Sequence, residues 1–248
     1  MQGDPENNPQ AQQDAGQPFY ITPPAPCPYL EGLTEQRLLT FIDKPQAGFT
    51  PALLAAGFRR SQNMFYRPHC PSCAACLSVR LPVADFAPDK GMRRILRRNG
   101  DLAAEIRAAA CDEDLYRLFH SYQTARHAES DMAAMTIDDL AAMIEDHPGT
   151  ARLMHCMKDG QTRGVMLFDE TANATSAVYS FFDPAESRRS LGTWMILKLV
   201  EYTKNSGRDY LYLGYLIRQS RKMAYKERFQ PLQILIKNEW IDFQNMNI

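Results

Sequence analysis

The chain predicts an α/β (α+β) fold whose mostly antiparallel sheet is flanked by helices, and three observations carry that expectation. Between residues 151 and 182, consecutive short strand-like runs rich in apolar residues are separated by turn residues. Ahead of this block, apolar and charged residues recur at helical spacing. Behind it, helix-like and strand-like patterns alternate as far as residue 236.

In chain order, residues 1–26 hold six prolines and five glutamines with no apolar stretch, which predicts disorder and no secretory signal. Residues 1–16 are expected to be a tail. Thr34–Phe41 and Ala52–Ala56 fit helix or strand equally, whereas Leu77–Val83 alternates as a strand. Lys90, Arg93, Arg94, Arg97 and Arg98 share one helical face. Helices are expected over Glu113–Arg126 and Ile137–Glu145, the second opened by the capping-box pattern Thr136 to Asp139. Arg152–Met157, the turn Asp159-Gly160 and Arg163–Phe168 form a hairpin, followed by a strand over Ser176–Phe182. A polar loop, Asp183–Ser190, leads into a helix that Gly207 ends. A strand at Tyr210–Tyr215, a helix over Arg218–Phe229 and a strand at Leu232–Ile236 complete the pattern. The expected division is a domain over 17–105, a second over 106–237, and a tail over 238–248.

A chain of 248 residues is long enough to bury a core without a disulfide or metal staple. With 28 Lys and Arg against 29 Asp and Glu, a globally basic nucleic-acid coat is excluded, so a polyanion site must come from local clustering. No apolar run is long enough to span a membrane. A cytoplasmic location is expected, and there six cysteines are thiols or metal ligands sooner than disulfides.

The order of elements resembles the GCN5-type N-acetyltransferase fold. In that fold, the loop after the meander binds coenzyme A pyrophosphate through Arg/Gln-x-x-Gly-x-Gly/Ala. Here the stretch is Arg189-Ser-Leu-Gly192-Thr-Trp194, with a bulky ring where a small residue is expected. Tyr225 stands where that fold carries a proton-donating tyrosine, and a phenol donates well to a departing oxygen. Its bland alternative is a tyrosine packed between helix and sheet. Cys70, Cys73 and Cys76 at two-residue gaps, with Cys27, either converge on zinc or an iron–sulfur cluster or remain reduced thiols. The arginine stripe at 90–98 has no acid within it, Asp89 and Asp101 only flanking it, which favours a polyanion partner over a merely solvated face. Arg218, Arg221, Lys222, Lys226 and Arg228 form a second basic set. The five histidines have no metal spacing, and no nucleophile elbow is present.

Several blocks together resemble one family. They are Cys27-Pro-Tyr-Leu30, Gly57-Phe-Arg-Arg-Ser61, Cys73-Ala-Ala-Cys76-Leu-Ser-Val-Arg80, Phe181-Phe-Asp-Pro184 to Arg189-Ser-Leu-Gly-Thr193, and Tyr212-Leu-Gly-Tyr215 to Arg228-Phe-Gln-Pro231. The resemblance, over residues 17–235, is to the bacterial aspartate/glutamate leucyltransferases, the short branch of the arginyl-tRNA–protein transferases. It implies two packed lobes of the acyltransferase fold and transfer of leucine from Leu-tRNA to the N-terminal amine of proteins beginning with Asp or Glu, marking them for degradation. No cofactor is required, because the ester is already activated. The resemblance implies tRNA contacts at Arg93, Arg94, Arg97, Arg98, Arg188, Arg189, Gly192, Lys222 and Lys226. Asp183 is the expected acceptor of the amine proton and Tyr225 the donor to ribose. The backbone around Tyr179–Phe181 is the expected oxyanion site. Arg60 and Arg80 are candidates to grip the acceptor carboxylate. The chain departs from the family pattern at Glu31-Gly32-Leu33, where Pro-Gly-Arg is usual. The alternatives are an arginyl donor, a coenzyme A-dependent N-acetyltransferase, and a non-catalytic nucleic-acid-binding module organised by the cysteines.

Overall fold

The strand-like runs pair into one large sheet. The computed structural model describes residues 17–44, 48–147 and 149–245; the expected tail at 1–16 lies outside them. Three strands make the predicted meander: β9 (Ala151–Lys158), β10 (Gln161–Glu170) and β11 (Ala174–Phe182). Helix α5 (Leu191–Asn205) then carries the chain over to β12 (Tyr210–Leu216), which lies parallel to β11. A parallel pair needs such a crossover, whereas the meander needs only tight turns.

Around this frame stand β7 (Leu77–Pro82), β8 (Ala103–Ala108), β13 (Gln233–Ile236) and β14 (Glu239–Asp242). The full order is β14-β13-β7-β12-β11-β10-β9-β8, antiparallel except at β11–β12. A smaller four-stranded sheet joins β1 (Tyr20–Ile21), β4 (Arg37–Phe41), β5 (Arg59–Ser61) and β6 (Met64–Pro68), while β2 (Ala25–Pro26) and β3 (Thr34–Glu35) pair separately. Helix α1 (Phe49–Ala55) resolves the ambiguity at residues 52–56. Helices α2 (Lys90–Arg98), α3 (Glu113–Arg126) and α4 (Ile137–Glu145) have their predicted bounds, and α4 carries the predicted capping box. Helices α3 and α5 both pack on β11. The core between helices and sheet buries Trp194, Phe119, Phe168, Phe181 and Phe229.

Three expectations are corrected. The boundary after residue 105 does not divide the core, because β7, from the first half, and β8, which straddles the boundary, are strands of the large sheet. The expected tail at 238–248 begins with β14. Lys237 and Asn238, both at positive φ, form the two-residue turn that folds it onto β13, and Trp240 donates its indole N–H to Ala55 O at 2.9 Å. The helix expected over Arg218–Phe229 is a run of turns ending in a short 3-10 segment, Ala224–Arg228. Lys226 within that segment and Phe229 just after it are both buried.

A buried ion pair clamps the small sheet to the large one. Arg60 of β5 donates its Nε–H to Asp169 of β10 at 2.8 Å, with both side chains fully buried, and Thr150 donates to the same carboxylate at 3.1 Å. Removing one partner strands the other charge, so Arg60→Met is expected to cost about 3–5 kcal/mol. Adding Asp169→Leu is expected to restore most of that loss, which urea denaturation of the single and double variants will show.

Candidate active site

The site opens where β11 and β12 part. They are paired only through Ala174–Ser176 and Tyr210–Tyr212, and beyond those residues each strand is bonded only on its outer side. Each carries one extra residue at the fork: Val178 is skipped in the register with β10, and Leu213 in the register with β7. Such bulges bend a strand and leave backbone groups without a ladder partner.

Arg59 fills that gap. From β5 its guanidinium donates to Ala177 O at 3.1 Å, Val178 O at 3.0 Å and Leu213 O at 3.4 Å, so one side chain bonds both diverging edges. Gly214 makes room for it, since a Cβ there would lie 1.4 Å from an Arg59 nitrogen, and its φ of +78° already favours glycine. The sequence expectation favours Arg60 over Arg59. The alternation of a strand sends one into the clamp and the other into the fork, and only the strand's register decides which.

The cleft above the fork has a volume of about 410 Å³. Arg59, His127, Lys222 and Lys226 line it, with Tyr29, Tyr66, Tyr122, Tyr179, Tyr215 and Tyr225, and among the described residues its lining contains no carboxylate. Lys226 is 4% exposed and donates to Tyr215 O and Met223 S. Burial and the neighbouring Arg59 lower its amine to about 7. His127 is held below its ordinary value by burial, with Lys222 and Arg126 adding to the effect. Burial pushes the Tyr179 phenol up to about 12, so it stays protonated, and it accepts an N–H from Gln123 at 2.7 Å. With that lone pair taken, the Tyr179 hydroxyl proton is free to donate.

The other expected site residues fall into separate groups. Arg93, Arg94, Arg97 and Arg98 are exposed on α2 and form no ion pair among the described residues. Asn99 donates to Arg189 O at 2.9 Å, and Arg98 donates to Arg188 O, so the stripe is fixed to the loop before α5. Arg189 itself is bidentate to Asp101, at 2.6 and 2.9 Å, and bonds Glu186 at 2.6 Å; the Arg189 bonds hold the Asp101 carboxyl far below the usual carboxylate range. Gly192 lies in the first turn of α5, and Trp194 is buried in the core instead of standing beside a phosphate loop.

Asp183 lies outside the cleft lining. It accepts Ala185 N–H at 2.9 Å and pairs with Arg163 at 3.3 Å. Arg80 is also engaged: it donates to Gln233 at 2.8 Å and is stacked between Tyr210 and Trp240, at 3.8 and 4.5 Å from the ring centres. Neither expected acceptor arginine reaches the cleft. Tyr225 does, with 41% of its surface exposed.

Cys27, Cys70, Cys73 and Cys76 line one adjoining cavity of about 460 Å³, which shares Tyr29, Tyr66 and Tyr215 with the cleft. The Cys76 thiol is pushed up to about 12, chiefly by burial and then by the other three cysteines. The donor set has the chemistry of a zinc or iron–sulfur site, yet among the described residues no group of three such side chains is arranged to hold a metal ion. No step is therefore routed through one. Cys156 is buried in the core, whereas Cys111 is only half-buried.

Two family models match the chain: arginine-tRNA-protein transferase, N terminus, over residues 25–94, and its C terminus over residues 114–236. An aspartate/glutamate leucyltransferase of Gluconacetobacter diazotrophicus is 48% identical over 225 residues, covering 90% of this chain and 86% of that protein. One from Parvibaculum lavamentivorans is 46% identical, covering 90% and 93%. Among solved structures, L-PGS from Bacillus licheniformis aligns with a TM-score of 0.47 at 9% identity over 72% of this chain and 52% of its own. FemX aligns with a TM-score of 0.45 at 8% identity over 72% and 63%. On the family models and the two bacterial relatives, the chain belongs to the arginine-tRNA-protein transferase family, in the aspartate/glutamate leucyltransferase group.

Proposed function

We propose that the protein transfers leucine from Leu-tRNA to the N-terminal amine of proteins that begin with Asp or Glu. The observation that carries this reading within the family is the cationic, carboxylate-free cleft at the strand fork. An aspartyl or glutamyl side chain brings the negative charge that such a lining lacks, and Lys222 at the mouth and Arg59 at the floor supply its counter-charge. The aminoacyl ester is already activated, so the reaction draws on no cofactor. Donors at the free edge of β11, Ala177–Ser180, face the carbonyl oxygen as it becomes an oxyanion. Tyr225 protonates the departing ribose oxygen.

The tRNA lies along α2. Its arginines meet phosphates, and an A-form acceptor stem offers phosphates and 2′-hydroxyls more than readable bases. Arg228 extends this basic surface, because its guanidinium lies 3.3 Å from where a Cβ on Gly91 of α2 would stand. Leu-tRNA as donor puts the reaction in the cytoplasm, and the new N-terminal leucine marks the acceptor for degradation.

A peptide beginning with Asp, incubated with the protein and charged leucyl-tRNA, is expected to gain one leucyl residue by mass spectrometry. Gain of an acetyl group from acetyl-CoA, or of arginine alone from a mixed charged pool, would replace this reading. Lys222→Gln is expected to raise KM for that peptide roughly tenfold while changing kcat little. Arg94→Gln combined with Arg97→Gln is expected to weaken tRNA binding and to lower the slope of log K against log salt by about 2. Filter binding across a salt series measures that slope.

A further inference from the structure

We propose that Lys226 is the proton acceptor for the attacking α-amine, and that it returns the same proton to the leaving side of the ester. The proposal rests on the leucyl-transfer reading and adds the residue that moves the proton. The reaction needs such a group. As the amine nitrogen bonds to the ester carbon it must lose one proton, and as the carbon–oxygen bond to ribose breaks, the ribose oxygen must gain one. A single amine that cycles from neutral to ammonium and back balances both steps, passing the proton to ribose directly or through the Tyr225 hydroxyl.

Geometry singles out Lys226. Asp183 is outside the cleft and capping Ala185, and among the described residues the cleft lining offers no other carboxylate. Lys226 is buried at the floor of the fork, beside the carbonyls that Arg59 binds. It bonds the Tyr215 carbonyl and the Met223 sulfur, neither of which carries a charge. A neutral amine that donates one N–H to Tyr215 keeps its lone pair for a substrate.

The surroundings hold it neutral. Burial and Arg59 of β5, which faces it as a fixed cation, disfavour the ammonium, while the face of the Tyr225 ring 5.6 Å away favours it weakly. Across the cleft stand His127, Lys222 and the hydroxyls of Tyr29, Tyr66, Tyr122, Tyr179 and Tyr215, with no carboxylate among the described residues that line it.

The sign of the pH dependence follows. The neutral form is the active one, so activity rises with pH through about 7 and then levels. The acceptor's own α-amine, near ~8, adds a second limb, but that limb moves with the acceptor and the Lys226 limb does not. The experiment is the pH profile of leucyl transfer for two acceptors of different amine pKa, with wild type, Lys226→Arg and Lys226→Gln. Arginine keeps the cation and cannot give up its proton.

Both variants are expected to fold with near wild-type melting curves, to lose on the order of 100-fold or more in kcat, and to lose the acceptor-independent limb. Retention of activity by Lys226→Arg, or a limb that persists in the variants and vanishes in His127→Gln, would overturn the assignment. So would a 15N titration of wild-type Lys226 showing an ammonium up to the ordinary lysine range, a readout that stands even if the variants fail to fold. A wild type that transfers no leucine under any condition would instead overturn the reading on which the proposal rests.

Discussion

The site depends on one interaction, the Arg59 guanidinium bonded across the fork between β11 and β12. Two parallel strands left to themselves continue their ladder, because each unpaired buried carbonyl costs free energy comparable to a lost hydrogen bond. Here the ladder stops after Ser176 and Tyr212, and the extra residues Val178 and Leu213 turn the strands apart. Arg59 supplies the carbonyls so freed with charged donors, which bind more strongly than neutral amides. The gap then persists as a cleft instead of closing. The Arg60–Asp169 clamp, one residue along, fixes the small sheet so that Arg59 is delivered to this place.

The same choice sets the electrostatics. A cation whose partners are carbonyls leaves its charge uncompensated, and among the described residues no carboxylate lines the cleft to cancel it. That field favours an anion in the cleft and adds to burial in depressing the amine of Lys226. Binding and proton transfer therefore draw on one local excess of positive charge. A chain with a net charge of −1 reaches this without a basic surface overall. Its arginines serve different ends in different places. Helix α2 presents a solvated stripe, Arg189 is consumed by Asp101 and Glu186, and Arg80 is stacked between Tyr210 and Trp240.

How much of this the sequence discloses depends on whether the signal is periodic or bounded by turns. Helices α2, α3, α4 and α5 are legible because their apolar residues repeat at 3.6 residues, and the meander because short apolar runs are bounded by turn residues. The segment from Arg218 to Phe229 is not, since it is a run of turns ending in a short 3-10 segment, whose inward Lys226 meets Tyr215 O. The strand β14 is hidden for a related reason: its turn uses Lys237 and Asn238 at positive φ, where glycine would have announced it. Among the arginines, type and neighbourhood are legible but facing is not. Arg59 and Arg60 are equivalent until the register of β5 is known, and the partners that consume Arg60, Arg80 and Asp183 come from distant strands or from the turn chemistry at Pro184.

Three consecutive residues of β12 gather these requirements. The Leu213 carbonyl receives Arg59, and Gly214 leaves the space in which that guanidinium lies. The hydroxyl of Tyr215 donates to Tyr66 O at 2.9 Å in the small sheet, while its own carbonyl accepts from Lys226. The fork, the sheet-to-sheet seam and the titrating amine thus meet on one short stretch of backbone. A shift of β12 by one residue would turn Tyr215 toward the opposite face and separate all three. The bulge at Leu213 therefore does more than bend a strand: it sets the phase at which the glycine, the tyrosine and the two cations coincide.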